Sequence, residues 1–376
     1  MENPFIVTGR IKPEYFCDRV TESERMTRCI LSGGENLVVI SPRRLGKTGL
    51  IYHCFEKPEV KNQVTTIFVD ILRTSSVQEL TYLLGRAVFK TLGSRSQKMM
   101  KNIIDTLRSL RGSFGYDPIQ NTPTFDIKLG DITNPTYTLE EIFACLEQAD
   151  QHCIVAIDEF QQIVNYPDKK VEALLRTHVQ HSANANFIFA GSERHIMGEM
   201  FLDHARPFYQ SASIMTLNPI RRDKYGEFVG SHFKANHLKV TTEAIDAVYE
   251  AFQGNTYYLQ KTFREAFATV SIDGTVCDKS LVESIINGMI QESAHKYNET
   301  LAILSLPQKE LLYAIAEEGR ANRITSSQFV KRHRLRSASS VQAAMRKLLE
   351  YGIVSSEQNE YFIEDQLFYL WLQQEG

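Results

Sequence analysis

Residues 38–50 read VVISPRRLGKTGL. A β-branched apolar run ends at Ser41, a proline and two arginines follow, and Gly46-Lys47-Thr48 opens a segment of helical character. Strand, tight loop and helix in this order match the phosphate-binding pattern G-x-x-x-x-G-K-[ST], except that Ser41 stands at the first glycine position. The stretch therefore suggests a nucleotide site, which the rest of the chain has to support.

The chemistry of such a loop depends on its backbone. Successive N–H groups turn inward around phosphate oxygens, and the N-terminus of the following helix adds positive charge. Lys47 would reach the β- and γ-phosphates, and Thr48 would place its hydroxyl on Mg²⁺. The alternative is an ordinary loop with a solvated lysine, so the loop alone is weak evidence. The candidate loop residues are Ser41, Pro42, Arg43, Arg44, Leu45, Gly46, Lys47, Thr48 and Gly49.

A second motif lies downstream, where the apolar run CIVAIDEF (153–160) contains Asp158 and Glu159. Ligands in open α/β sheets bind at the carboxyl ends of the strands. Asp158 suits Mg²⁺ through water, and Glu159 is placed to polarise an attacking water. A strand ending in a solvated acidic turn is the alternative, but the two motifs together favour a nucleoside triphosphate site.

A third apolar run, NFIFAGSERH (186–195), ends in small polar residues. We expect it to lie beside both the strand of the loop and the strand of Asp158. Ser192 would then contact the γ-phosphate or the water, or else only cap the next turn. Arg194 and Arg206 are candidates to stabilise charge on the transferred phosphoryl group, with a surface arginine as the alternative for each.

The fold class follows from the apolar runs of the first half of the chain. Strands this apolar are typically covered on both faces, which predicts an α/β fold with a parallel sheet between helices. A helix is predicted from Val77 past residue 108, and another is opened by the capping-box spacing of Thr138 and Glu141. Residues 111–137 predict a long loop with a short strand at Phe125–Leu129. The strand-like runs are 36–41, 65–71, 153–160 and 186–192.

Composition restricts the function classes. The 376 residues suit two or three domains, and a net charge of -3 gives no overall attraction to nucleic acid or anionic membrane. Six cysteines without a C-x-x-C pair indicate buried free thiols in a reducing compartment. Neither a secretion signal nor a long uncharged apolar run is found, so we expect a cytoplasmic protein without a membrane span.

The second half of the chain has a different pattern. Apolar residues at helical spacing predict a helical lid over 218–297, after a nucleotide-binding core at 1–217. From Pro307 onward, three helices and two short strands around Glu357–Asn359 follow the winged-helix order, which predicts a winged-helix domain at 298–376.

The charge of this last segment is informative, since residues 320–349 hold eight basic residues and no acidic one. A basic helix-turn-helix is typical of a DNA-binding protein, whose third helix enters the major groove by its N-terminal end. A docking role against protein is an equally open alternative, favoured by the acidic and aromatic tail around Trp371. The candidate DNA contacts are Arg334 and Arg336 to phosphates, Ser339, Ser340 and Gln342 to bases, and Arg346 and Lys347 as further contacts.

Four stretches together resemble the archaeal-type ATPases of the STAND class, which are relatives of the AAA+ ATPases within the P-loop NTPases. These stretches are SPRRLGKTGL, CIVAIDEF, FIFAGSERHIMGEMF and FQGNTYYLQ, and the opening NPFIVTGRIKPEYFCDR is similar to the family's N-terminal segment. The resemblance covers residues 1–265 and implies ATP as the nucleotide, with Mg²⁺, slow hydrolysis and use as a switch that can assemble in the ATP state.

The resemblance also implies roles for individual residues. Ser41 to Thr48 match the Walker A loop, Asp158 and Glu159 match Walker B, and Ser192 matches the sensor position. GNTYYL (254–259) matches a lid motif that usually reads Gly-Asn-Pro, so Asn255 is expected near the nucleotide although Thr256 replaces the proline. Phe5 and Phe16 are candidates to pack on adenine, with a place in the core as the alternative.

Three functions therefore remain open. The first is an ATPase switch in which Lys47, Glu159, Ser192 and Arg206 take part in catalysis. The second is a DNA-binding regulator that uses ATP only as a ligand. The third is a protein-docking scaffold whose winged helix does not meet nucleic acid.

Overall fold

A computed structural model of the chain describes residues 2–93, 97–117, 122–125, 127–357 and 359–375. These residues form two compact units. The first unit spans residues 8–218, and the second comprises residues 219–375 together with the N-terminal residues 2–7. The division into three domains at 217 and 297 stays a prediction, and a single helix, described below, runs through residue 297.

The first unit is built on strands. They are β1 Leu37–Ile40, β2 Thr65–Asp70, β3 Phe114–Asp117, β4 Thr122–Phe125, β5 Cys153–Asp158, β6 Ala185–Gly191 and β7 Ser213–Thr216. The described residues form a five-stranded sheet in the order β2-β5-β6-β1-β7, and every neighbouring pair is parallel. This confirms the predicted parallel α/β sheet, including the place of β6 beside both β1 and β5. The edge strand β7 was not predicted.

The apolar composition of the central strands follows from their coverage. Val38 packs into one hydrophobic cluster and Val39 into another, on opposite faces of the sheet. Val155 and Ile154 of β5 divide between the same two clusters. Because successive side chains of a strand point to opposite faces, a sheet covered on both sides needs apolar residues at every position.

Helices surround this sheet in the first unit. They are α1 Val20–Ser32, α2 Lys47–Glu56, α3 Pro58–Gln63, α4 Val77–Gly93, α5 Gln97–Thr106, α6 Pro135–Glu147, α7 Val171–His181 and α8 Arg194–Leu202. The single helix predicted from Val77 past residue 108 is wrong, because the structure has α4 and α5 there; residues 94–96 lie outside the described residues.

The predicted start of α6 is also wrong. The helix begins at Pro135, and the side chain of Asn134 caps it by accepting from the Tyr137 amide at 3.2 Å. A proline at the first helical position needs no hydrogen bond there, which favours this start. Thr138 is buried inside the helix, while Glu141 accepts from the backbone N–H of Ser109 at 3.1 Å.

The predicted long loop over 111–137 contains regular structure that the turn-rich composition did not indicate. Strands β3 and β4 pair as an antiparallel hairpin inside it, and residues 118–121 lie outside the described residues. The short strand predicted at Phe125–Leu129 is wrong: β4 ends at Phe125, and Leu129–Asp131 is a 3₁₀ turn.

The second unit is mainly helical. Its elements in chain order are α9 Arg222–Ala235, β8 Lys239–Val240, α10 Thr242–Phe252, α11 Thr256–Asp273, β9 Val276–Cys277, α12 Lys279–Ala302, α13 Leu306–Glu318, β10 Ala321–Asn322, α14 Ser327–Arg332, α15 Ala338–Glu350, β11 Val354–Glu357, β12 Glu360–Ile363 and α16 Gln366–Glu375. Strands β11 and β12 pair antiparallel, and β10 pairs with the other edge of β12. Helices α13 to α15 followed by the β11–β12 wing confirm the winged-helix order.

The C-terminal tail is a packing element of the second unit. The rings of Phe368 and Trp371 in α16 lie 4.8 Å and 5.6 Å from the ring of Tyr297 in α12. Trp371 is only 3% exposed. Its burial shows that this tail contributes to the core of the second unit.

The cysteines are free thiols, as predicted, and all except the half-buried Cys29 are buried. Within the described ranges, no helix combines the length and the apolar character that a membrane crossing requires.

Candidate functional site

The loop between β1 and α2 contains two residues with a left-handed backbone conformation. Gly46 has φ 90°, and Arg44 has φ 67°, so both adopt the left-handed region. A Cβ at Gly46 would meet no atom within 4 Å, so φ is what favours glycine there. Ser41 is buried and is not among the residues of positive φ, and its amide donates to the Gly191 carbonyl at 3.2 Å. This position therefore accepts a serine in place of the first glycine.

Lys47 and Thr48 open α2 and contact the acidic residues at the end of β5, where Asp158 is the last residue of the strand and Glu159 follows it. The Lys47 Nζ lies 3.1 Å from Asp158 Oδ1 and 3.1 Å from Glu159 Oε1. The Thr48 hydroxyl donates to Asp158 Oδ2 at 2.5 Å. Lys47 is 6% exposed and Asp158 is 3% exposed. We call Lys47, Thr48, Asp158 and Glu159 the lysine–carboxylate cluster.

The sheet topology explains how residues so distant in sequence meet. Strands β1 and β5 are parallel and are separated only by β6, so their carboxyl ends lie at the same edge of the sheet. Glu159 follows β5 with φ 57°, and its amide donates to Asp158 Oδ1 at 3.0 Å. A left-handed non-glycine residue costs on the order of 1–3 kcal/mol, and such residues concentrate at functional sites.

Ser192, at the end of β6, joins the cluster through Glu159. Its hydroxyl donates to Glu159 Oε2 at 2.7 Å, while the N-cap position of α8 is Glu193. The structure thus brings five of the predicted site residues into one hydrogen-bonded group, namely Lys47, Thr48, Asp158, Glu159 and Ser192. The Ser192 hydroxyl therefore contacts Glu159 and does not cap α8.

The electrostatics of Glu159 follow from these contacts. Burial raises the pKa of its carboxyl, but the charge of Lys47 and the hydrogen bonds from Gln161, Ser192 and Lys47 outweigh burial and hold that pKa below its ordinary value of 4.5. The carboxylate is therefore ionised at neutral pH. It can accept a hydrogen bond from a water molecule, which is what a water-activating residue must do.

The comparisons with known proteins give the family of the chain. Residues 16–262 match the family described as "ATPase domain predominantly from Archaea". The chain belongs to this ATPase domain family. Residues 295–374 match a second family, described as "probable winged helix domain". No curated protein matches the chain.

Solved structures show the same fold over the whole chain. The Walker-type ATPase PABY2304 of Pyrococcus abyssi matches with a TM-score of 0.68 at 18% identity, over 98% of this chain and 99% of that chain. The ORC2 protein of Aeropyrum pernix with ADPNP and ADP matches with a TM-score of 0.62 at 13% identity, over 99% and 98% of the two chains. The ORC1 protein of Aeropyrum pernix in complex with DNA has a TM-score of 0.53 at 13% identity, over 96% and 94%. At these identities the likeness concerns the fold alone.

Two predicted site arginines of this ATPase domain, Arg206 and Arg43, pair with acidic residues outside the lysine–carboxylate cluster. Arg206 forms a bidentate ion pair with Glu172, at 2.6 Å and 3.3 Å, and does not join the cluster. Arg43 lies 3.9 Å from Glu193 with both side chains about half exposed, which is a weak pair. A role for either arginine in catalysis or phosphate binding stays a prediction.

The candidate adenine contacts differ from each other. Phe5 belongs to the second unit and is fully buried there among aromatic rings, with centroids 5.7 Å from Phe263 and 5.9 Å from Phe233. Phe5 therefore lies in the core of the second unit, which was the alternative to packing on adenine. Phe16 stacks on the ring of His53 with centroids 3.9 Å apart. Asn255, in the second unit, caps α11 through the amide of Tyr258.

Two residues near the cluster were missed from the sequence. Gln161 donates to Glu159 Oε2 at 2.6 Å and is 1% exposed. Arg19 is 5% exposed, has φ 62° and donates to the carbonyl of Leu45 in the loop at 3.1 Å. The one sequence signal for them was position, because Gln161 follows Glu159 by two residues and Arg19 lies in the segment similar to the family's N-terminus.

The predicted DNA-contacting residues lie in and before α15. Ser337 caps this helix by accepting from the Ser340 amide at 3.2 Å. Lys347 is paired with Glu350 at 2.8 Å, and Ser340 is half-buried. The remaining predicted contacts are exposed, namely Arg334, Arg336, Ser339, Gln342 and Arg346.

Part of the basic charge of the winged helix is neutralised within the unit. Arg332 lies 2.8 Å from Glu318. Arg320 lies 3.5 Å from Glu360. The basic residues that are free to meet an external anion are therefore fewer than the sequence count suggests.

Proposed function

We propose that this ATPase domain binds ATP with Mg²⁺ at the lysine–carboxylate cluster, hydrolyses ATP slowly and uses the nucleotide state as a switch. One observation carries the proposal: the Lys47 ammonium lies 3.1 Å from both Asp158 and Glu159, at the N-terminus of α2. A helix N-terminus, a lysine and a metal-suited carboxylate at the end of neighbouring strands are the parts of a nucleoside triphosphate site.

The residues present fit such a ligand. The amides at the start of α2 and the Lys47 ammonium are donors for phosphate oxygens, and the Thr48 hydroxyl and Asp158 carboxylate are the oxygen ligands that Mg²⁺ prefers. When bound, ATP supplies the phosphoryl group and Mg²⁺ offsets its charge. On ATP binding, the Lys47 ammonium would leave a carboxylate oxygen and contact a phosphate oxygen instead. Glu159, held ionised, would then orient water, with Ser192 beside it.

A nucleotide titration tests this proposal directly. Lys47→Ala removes the side-chain cation that contacts both carboxylates of the cluster, and we expect an ATP affinity at least about 100-fold weaker with Mg²⁺ present. Lys61→Ala, an exposed lysine paired with Glu56, is the matched control and should bind ATP like the wild type. Unchanged ATP binding by Lys47→Ala would refute the site.

Hydrolysis is tested separately from binding. Glu159→Gln preserves the shape of the side chain but removes its basicity, so it should bind ATP normally and lose turnover. A wild-type rate in this variant would show that Glu159 is not the water-activating residue. ATP specificity is tested in the same titration with GTP as competitor.

The switch is the finer part of the proposal and derives from the resemblance to the STAND class. A nucleotide shifts a conformational equilibrium only if it binds the two conformations with different affinity. We therefore expect limited proteolysis to give different fragment patterns with ATP and ADP in the Glu159→Gln variant. Identical patterns at saturating concentrations of both would oppose a switch.

DNA binding by the winged helix is a second candidate function. Arg334, Arg336 and Arg346 are exposed and have no ion-pair partner in the part of the chain that the structure describes. Arg334 and Arg336 precede the third helix, and Arg346 lies in its second half. Exposed cations around such a helix suit phosphate contacts. Gel shifts across a salt series test it, since binding should weaken steeply as salt rises. Absence of a shift at low salt would favour the protein-docking alternative.

A further inference from the structure

Gln161 occupies a buried position directly behind the carboxylate of Glu159. It lies in the 3₁₀ helix Phe160–Asn165 that follows Glu159, and its side-chain amide donates to Glu159 Oε2 at 2.6 Å. Ser192 donates to the same oxygen at 2.7 Å, and the Gln161 amide lies 3.4 Å from the Ser192 hydroxyl. The other carboxylate oxygen, Oε1, lies 3.1 Å from the Lys47 Nζ. The two oxygens of Glu159 therefore have different partners.

The space around the Gln161 amide is restricted. A Cβ at Gly191, the last residue of β6, would lie 2.6 Å from Gln161 Oε1 and 2.5 Å from the Met197 side chain. Glycine at this position leaves room for the amide. Because any larger residue would displace it, the packing fixes where the Gln161 side chain lies.

The Gln161 amide is oriented so that its N–H group donates to Glu159, which leaves its oxygen without a partner. Gln161 Oε1 is buried and has no hydrogen-bond partner among the residues that the structure describes. A buried acceptor without a partner costs about 1–3 kcal/mol. A rotated amide would instead place its oxygen against the Glu159 carboxylate, which is electrostatically unfavourable. The hydrogen bond to Glu159 thus determines the orientation.

We propose that Gln161 is a positioning residue that fixes the Glu159 carboxylate for water activation, an inference that rests on the proposed function. Gln161 and Ser192 hold Oε2, so Oε1 keeps its direction when Lys47 leaves it for a phosphate oxygen. Gln161 makes its contacts to Glu159 and Ser192 and acts on the reaction through them. Its loss should therefore slow turnover without weakening nucleotide binding.

The test compares two adjacent glutamines. Gln161→Met preserves the length and volume of the side chain but removes the donor, and we expect kcat to fall at least about 10-fold. Binding of a non-hydrolysable ATP analogue should stay within about two-fold of the wild type, because the phosphate-binding groups are unchanged. Gln162→Met is the matched control, since the Gln162 amide donates to the Thr74 carbonyl at 2.9 Å and not to the cluster. It should leave kcat and analogue binding unchanged.

Three outcomes would decide the inference. Wild-type kcat in Gln161→Met would overturn it, as would parallel losses of kcat and analogue affinity, which indicate a general structural role. Glu159→Gln in the same assays separates the two proposals: if this variant is inactive while Gln161→Met is fully active, only the role of Gln161 is wrong. If Glu159→Gln hydrolyses ATP normally, the proposed function of Glu159 fails and the role of Gln161 fails with it.

A double variant adds a readout of how Gln161 acts. If Gln161 works through Glu159, Glu159→Gln combined with Gln161→Met should be no slower than Glu159→Gln alone. A further 10-fold loss in the double variant would show an independent action and would overturn the positioning role.

Discussion

Lys47 in the first unit and Arg336 in the second are both cations assigned to phosphate, but their surroundings are opposite. Lys47 is 6% exposed and contacts two carboxylates at 3.1 Å. Arg336 is exposed and has no ion-pair partner in the described part of the chain. A buried cation is part of a balanced group, so removing it affects the protein itself. An exposed cation is available to an external anion, so removing it affects only binding.

The largest expected effect comes from breaking the buried group. Lys47→Met leaves the buried carboxylate of Asp158 and the half-buried carboxylate of Glu159 without their cation, and we expect the nucleotide-free protein to lose about 3 kcal/mol of unfolding free energy. Urea unfolding followed by circular dichroism measures the change. Lys61→Met breaks the exposed pair with Glu56 and should cost about 0.5 kcal/mol or less. Equal losses in the two variants would show that burial of the cluster does not matter.

The pH dependence of this loss sharpens the comparison. Burial raises the pKa of Glu159, but the charge of Lys47 and the hydrogen bonds that Glu159 accepts outweigh burial. The folded-state pKa of Glu159 therefore lies below its ordinary value. Its contribution to stability is therefore present above the ordinary value of 4.5 and is lost as pH falls through the folded pKa. The wild type and Lys47→Met should become more similar in stability below pH 4.5. A difference that grows on acidification would contradict the assigned interaction.

Much of the fold could be predicted because its signals are local. The apolar runs of β1, β2, β5 and β6 are long enough to be recognised, and coverage on both faces explains their composition. Strand β7 escaped prediction because Ser213–Thr216 contains only two apolar residues between polar ones. The hairpin of β3 and β4 escaped because its turn formers, including Pro123, indicate a loop.

Site residues that belong to a sequence motif could be predicted. Site residues whose role depends on a tertiary contact could not. Lys47, Asp158 and Glu159 belong to patterns whose spacing indicates their chemistry. Gln161 has no such pattern, because its role depends on the side-chain packing that places its amide against Glu159 and beside Ser192, and Ser192 is 31 residues away in sequence. The pairing of Arg206 with Glu172, 34 residues apart, is likewise a tertiary contact that no local signal distinguishes from a free arginine.

A smaller effect, on DNA binding, is expected from removing the exposed cation Arg336. Arg336→Ala should weaken DNA binding about 3–10-fold near physiological salt and reduce the salt slope by about one unit, since one phosphate contact is lost. Arg320→Ala is the matched control, because Arg320 already pairs with Glu360 at 3.5 Å and lies over the Phe362 ring. It should leave the salt slope unchanged. The same slope for Arg336→Ala as for the wild type would remove Arg336 from the interface.

The smallest effect separates helix capping from DNA contact at the start of α15. Ser337→Ala removes the acceptor for the Ser340 amide at 3.2 Å and should cost about 1 kcal/mol in urea unfolding. Ser337→Asp restores a good cap and adds negative charge, which stabilises a helix N-terminus. The same charge repels DNA phosphate, so Ser337→Asp should have wild-type stability and weaker DNA binding than Ser337→Ala. If the aspartate variant bound DNA as well as the wild type, this end of α15 would not face the phosphate backbone.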